Sequence, residues 1–151
     1  MLKKYNKLIP ELQKWNDGDG VDIEGWLANQ GNYELAIAYA EFFWPEFIEY
    51  DGCIFRGSVN TEIYQQTIES LEGDKTSTEA LMNHEHIVYL FNVKQTPSTE
   101  QIIYLGKKLQ EIWKRKLECD FPDKKITVCF SEENCKYPVD YEITFYQENH
   151  E

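Results

Sequence analysis

The segment "EFIEYDGCIFR", residues 46–56, decides how the chain is read. Asp51-Gly52 sits between two short alternating runs. This dipeptide favours the left-handed backbone of a tight two-residue turn, so the segment predicts a β-hairpin. Side chains alternate across a strand. Cys53 and Phe55 should therefore face opposite to Ile54 and Arg56.

Immediately upstream, "YAEFFWPEFIEYDG" (39–52) holds six aromatic side chains and four carboxylates with no cation. Asn32 can cap a helix over about 33–43. Leu35, Tyr39 and Phe42 form one face, with Ala36, Ala40 and Phe43 beside it. That wide apolar arc predicts a largely buried helix. Pro45 ends it, because the residue before a proline is pushed out of the α region. Tyr39, Phe42 and Phe43 are thus expected in the core. Trp44, Phe47 and Tyr50 follow the break, where helical burial no longer accounts for them. Glu46, Glu49 and Asp51 lie among them.

Working outward, residues 3–14 suggest a first helix with Leu8 and Leu12 on one side, delayed by Pro10. "NDGDGVDIEGWL" (16–27) resembles a calcium loop only superficially. Counted from Asp17, the ligand and glycine positions of an EF-hand fall on Val21, Asp22 and Ala28, which fit neither ligand nor turn. Asp22 is better read as a helix cap. Asn60 or Thr61 opens a helix over about 61–72, with Ile63, Tyr64, Thr67, Ile68 and Leu71 inward. Thr76 and Glu79 have capping-box spacing. Leu81, His84, Val88 and Phe91 then recur at helical spacing, which favours a helix to about 91 over a strand at 87–92. "TPSTEQ" caps a long helix at about 99–118. Ile126, Val128 and Phe130 alternate in one strand, and Tyr141, Ile143 and Phe145 in the last. The fold class is α+β in one domain, 1–151: several helices on a small antiparallel sheet, with a C-terminal helix followed by a β-hairpin.

Composition narrows the function. The 151 residues are 42% hydrophobic and 15% aromatic, which is too rich in core formers for an acidic disordered chain. Net charge is −12, which disfavours direct binding to nucleic acid or anionic membranes. No run approaches the roughly 20 apolar residues of a membrane span. The basic start lacks a signal-peptide core, so a cytoplasmic protein with reduced cysteines is expected. The charge is uneven. Residues 15–55 hold nine acids, no Lys or Arg, and ten of the 22 aromatics. A solvated acidic face explains part of this. Complementarity to a basic protein partner explains the aromatics as well.

Chemistry-bearing motifs are sparse. His84 and His86 would share a face on a strand and could grip a metal. On a helix they lie about 200° apart and could not. Glu41, Glu46 and Glu49 could supply a glycosidase acid and base, with Trp44 as a sugar platform. No nucleotide-binding or nucleophile-elbow motif is present, and no cofactor is implied. The reading is a non-enzymatic inhibitor or immunity-type protein that binds a basic partner through Trp44, Glu46, Phe47, Glu49, Tyr50 and Asp51. The alternative is a small hydrolase or metal-dependent enzyme using Glu41 and Glu46, or His84 and His86.

Overall fold

In the computed structural model, which describes residues 5–92 and 94–150, the hairpin forms where its turn chemistry places it. Strand β1 (Phe47–Tyr50) pairs antiparallel with β2 (Cys53–Arg56), with Phe47 opposite Arg56 and Tyr50 opposite Cys53. Asp51 and Gly52 both have positive φ, 50° and 76°. Such a turn matches the strands' right-handed twist. Its two faces enter different clusters. Cys53 and Phe55 pack with Tyr64, whereas Ile54 joins Phe47 in the main core.

The chain divides into two compact units, Met1–Ala40 and Glu41–Glu151. In the first, residues 3 and 4 of the expected 3–14 helix lie outside the described residues; within the rest, the chain forms a 3-10 helix at Pro10–Gln13, because proline is tolerated in a helix only at its first turn. Asp22 caps α1 (Ile23–Gln30) by accepting from Gly25 N–H at 2.7 Å. Asn32 Oδ1 likewise accepts from Leu35 N–H near the start of α2 (Tyr33–Phe43). The expected burial of α2 is not found. None of its residues is fully buried, and Leu35 and Ile37 are exposed. Phe42 and Phe43, at its end, belong to the second unit and pack on that unit's own core.

That core is built on the long helix α5 (Thr99–Asp120) and a sheet of three strands in the order β3-β5-β4. The strands are β3 (Glu85–His86), β4 (Ile126–Ser131) and β5 (Glu142–Gln147). Ser98 and Gln101 form the box that starts α5. Ile102, Gly106, Leu109, Trp113 and Leu117 form its buried stripe. Trp113 lies at the centre, with Phe42, Phe47 and Phe145 rings 5.6, 6.5 and 6.1 Å away. Its indole N–H donates to Phe42 O at 3.1 Å, which satisfies the polar tip inside the core. The structure thus bears out the α+β class and the helix followed by a hairpin.

Helix α3 (Thr61–Ser70) is capped by Asn60 and buries Tyr64, while Ile63 stays exposed. Helix α4 (Lys75–Met82) differs from its sequence reading in two ways. Asp74, not Thr76, is its cap, and Glu79 is fully buried instead of serving a capping box. The helix also stops at Met82 rather than running to about 91. Asn83 turns its side chain onto two strands, donating to Ile54 O at 2.8 Å and Phe145 O at 3.4 Å. The chain then pairs briefly as β3 and closes in a 3-10 turn at Ile87–Leu90.

Glu79 and Asn83 are one turn apart, so they share a helix face. That face spans β2 and β5, which belong to different sheets. The Glu79 carboxylate accepts from Ile54 N–H and Gln147 N–H, both at 2.6 Å, and from Gln147 Nε2 at 2.7 Å. Gln147 Nε2 also donates to Gly52 O at 2.7 Å. Side chains of α4 and β5 therefore satisfy strand groups that have no ladder partner.

Two substitutions test this packing by urea denaturation. Glu79→Ala leaves buried N–H groups without an acceptor and should lower stability by about 3–5 kcal/mol. Gly106→Ala would normally stabilise a helix by about 1 kcal/mol. Here the added Cβ would collide with the Phe130 ring, so a loss of about 1–3 kcal/mol is expected instead.

Candidate functional site

The segment from Trp44 to Asp51 leaves α2, passes Pro45 and runs through β1. Pro45 is buried and fixes the exit. Trp44 is 52% exposed. Lys116 Nζ lies 5.7 Å from its ring centroid while also pairing with Asp120 at 2.5 Å. The indole is thus held from beneath and open outward. Glu46 is exposed, and its carboxylate makes no ion pair among the described residues.

Phe47 must be withdrawn from the binding set. It is 7% exposed and stands edge-on to Phe145 at 5.1 Å. The reason is strand alternation: Phe47 shares its face with Ile54, and that face points into the core. Glu49 is on this face too but lies at the margin, where it pairs with Lys124 at 3.0 Å. Tyr50 leaves the opposite face, partly exposed and edge-on to Tyr64 at 5.1 Å. Asp51 accepts from the Tyr64 hydroxyl at 2.7 Å and pairs with Lys75 at 3.5 Å.

The structure therefore splits the expected surface in two. Trp44 and Glu49 lie towards Lys116 and Lys124, at the C-terminal end of α5. Tyr50 and Asp51 lie towards α3. Two of the carboxylates already have intramolecular cations. Charge counting along the sequence could not reveal this, because the lysines come from distant positions.

The Asp51 carboxyl is held below its ordinary value, first by the Tyr64 hydrogen bond and then by the Lys75 charge. Burial, then the bond to Asp51, pushes the Tyr64 hydroxyl up.

The groups of the enzyme reading are arranged differently. Glu41 and Glu46 are both exposed. An open groove of about 570 Å³ runs beside α5 and β4, lined by Lys107, Glu111, Lys114, Lys124 and Lys125 among others, and neither glutamate lines it. His84 and His86 are not on opposite sides of a helix, because α4 ends before them. Their ring centroids are 5.3 Å apart. His84 Nδ1 meets Leu81 O at 2.8 Å, and His86 Nδ1 meets Val139 O at 2.8 Å. A carbonyl only accepts, so each Nδ1 carries the proton and each Nε2 is left as the possible ligand atom. No third donor completes a metal cluster with this pair among the described residues.

One group of three does have ligand spacing among the described residues. Donor atoms of Cys53, Glu79 and His150 lie within 4.8 Å of one another. Sequence reasoning missed it. The three positions share no motif, and His150 lies outside every periodic segment. No family model matches the chain, and no curated protein or solved structure matches it.

The Asp51 contacts predict a pH dependence. A carboxyl whose folded value is lowered stabilises the fold above its unfolded value, about 4, and that contribution is lost as pH falls through the folded value. Thermal melts between pH 7 and pH 2 should therefore fall less steeply for Asp51→Asn than for the parent. The variant should start slightly lower at pH 7. Residual acid sensitivity should remain, because Asp74, Asp140 and Glu148 are lowered as well. Parallel curves for the two proteins would show that Asp51 contributes nothing.

Proposed function

We propose that the protein is a non-enzymatic binding module that engages a basic protein partner, acting as a cytoplasmic inhibitor or immunity-type protein. The observation that carries this reading is Trp44. Its large aromatic surface is open outward on a segment fixed by buried Pro45 and by Lys116. Rigid aromatic anchors beside charged groups are the usual source of interface energy. Glu46, exposed and unpaired among the described residues, is the nearest carboxylate in sequence free to meet a partner cation. Glu49 and Asp51 would exchange their lysines for partner groups, so they contribute more to encounter rate than to final affinity. The net charge of −12 acts in the same direction. It also disfavours nucleic acid as the direct partner. Among the described residues no helix is long and apolar enough to cross a membrane.

The second reading, a small hydrolase or metal-dependent enzyme, has one observation in its favour. His84 and His86 lie side by side with both Nδ1 atoms engaged.

The test begins with affinity capture from the source cell, followed by titration of the purified partner. A partner with a basic surface is expected. Trp44→Ala should weaken binding at least tenfold, or about 1.4 kcal/mol. Glu46→Lys should slow association and flatten its salt dependence, with circular dichroism unchanged in both variants. Binding indifferent to both substitutions would overturn this surface assignment.

A further inference from the structure

Cys53 opens β2, Glu79 lies on α4 and His150 follows β5, so three distant parts of the chain meet at one point. Cys53 and Glu79 are both 0% exposed. The His150 side chain is 16% exposed and forms the solvent side of the group. Glu79 and His150 are in direct contact, with Oε2 3.1 Å from Nε2. The Cys53 sulfur also lies 3.9 Å from the Tyr64 hydroxyl.

We propose that Cys53, Glu79 and His150 bind one divalent transition-metal ion, with zinc the best match. The site is separate from the Trp44 surface, and the inference does not depend on that reading. The donor set selects the ion. One sulfur, one imidazole nitrogen and one carboxylate oxygen suit zinc, whereas calcium and magnesium require oxygen ligands. Charge also fits. A thiolate and a carboxylate cancel the two positive charges, so the loaded site is neutral overall in its buried position.

The spacing is close to what coordination needs. Tetrahedral zinc, with bonds of about 2.0–2.2 Å to nitrogen and oxygen, separates two such ligands by about 3.3–3.4 Å. The Glu79–His150 pair stands at 3.1 Å and has to open by only a few tenths of an ångström. A sulfur ligand at about 2.3 Å would stand about 3.5 Å from the other two. The three donors already lie within 4.8 Å, and rotation of the Cys53 side chain can close the remainder.

Glu79 is oriented by Ile54 N–H and by both the backbone and the side chain of Gln147. Such outer hydrogen bonds hold a ligand in place before the ion arrives. On binding, the Cys53 thiol releases its proton to solvent and the sulfur bonds the ion. In the empty site His150 Nε2–H donates to Glu79; on binding, that proton leaves to solvent and Nδ1 takes one up, so that neutral Nε2 ligates the ion, and the fourth position faces the solvent side. The bound ion would join β2, α4 and the segment after β5.

The full-length protein, stripped with a chelator, is titrated with zinc by calorimetry and with cobalt by absorption spectroscopy. One ion per chain is expected, with a sulfur-to-cobalt charge-transfer band and a melting temperature that rises with zinc concentration. Cys53→Ser should abolish the band. Both Cys53→Ser and His150→Ala should weaken zinc binding at least tenfold. His150 is partly exposed, so its variant remains informative if the cysteine variant folds poorly. The double variant His84→Ala/His86→Ala should bind as the parent does. Absence of the cobalt–thiolate band would overturn the proposal. So would binding that is lost with the His84/His86 pair but kept in Cys53→Ser and His150→Ala.

Discussion

The carboxylate of Glu79 is the contact on which the second unit depends. Strands β2 and β5 belong to different sheets and share no ladder. Buried N–H groups at Ile54 and Gln147 would be orphaned where these strands approach. Glu79 accepts from both, and Asn83 one turn later donates to Ile54 O and Phe145 O. A buried carboxylate is costly to desolvate, so the gain is not mainly net stability. The gain is a defined placement: with four donors converging on it, Glu79 can be satisfied in few arrangements of the two sheets. The cluster with Cys53 and His150 is a consequence, since the same carboxylate is what those two residues approach.

The aromatic core completes the arrangement from the other side. Trp113 collects Phe42, Phe47 and Phe145, which joins the end of α2, the hairpin and β5 to α5. Arg56 lies over this group, with its guanidinium carbon 4.8 Å from the Phe42 ring centroid and 5.5 Å from that of Trp113, and it pairs with Glu85. Because Phe47 is drawn inward and Pro45 is buried, Trp44 is left at the rim. Its exposure follows from the packing of its neighbours. The acidity of this region is also less open than its composition suggests, since Lys124 and Lys75 already pair with Glu49 and Asp51.

The features legible in the sequence are those governed by a few neighbouring residues. Asp51-Gly52 specifies its turn through backbone sterics. Asp22, Asn60 and Ser98 cap their helices through local side-chain acceptors. The alternation of Ile126 to Phe130 and of Tyr141 to Phe145 announces β4 and β5, and the spacing of Ile102, Leu109 and Trp113 announces α5. Of the candidate surface, Trp44, Glu46, Glu49, Tyr50 and Asp51 are exposed, whereas Phe47, which follows the same break at Pro45, is buried.

Tertiary structure decided what depends on distant parts of the chain. An apolar arc is buried only if something covers it, and Leu35 and Ile37 of α2 are exposed. Strand alternation shows that Phe47 and Tyr50 face opposite ways, but only packing shows which of those faces is the core. The end of α4 at Asn83 reflects hydrogen bonds to strands 29 and 62 residues away. That early stop is also what brings His84 beside His86. The meeting of Cys53, Glu79 and His150 has no local signature at all. Short-range sterics and periodicity are written into neighbouring residues, whereas burial and the satisfaction of buried polar groups exist only once the whole unit has closed.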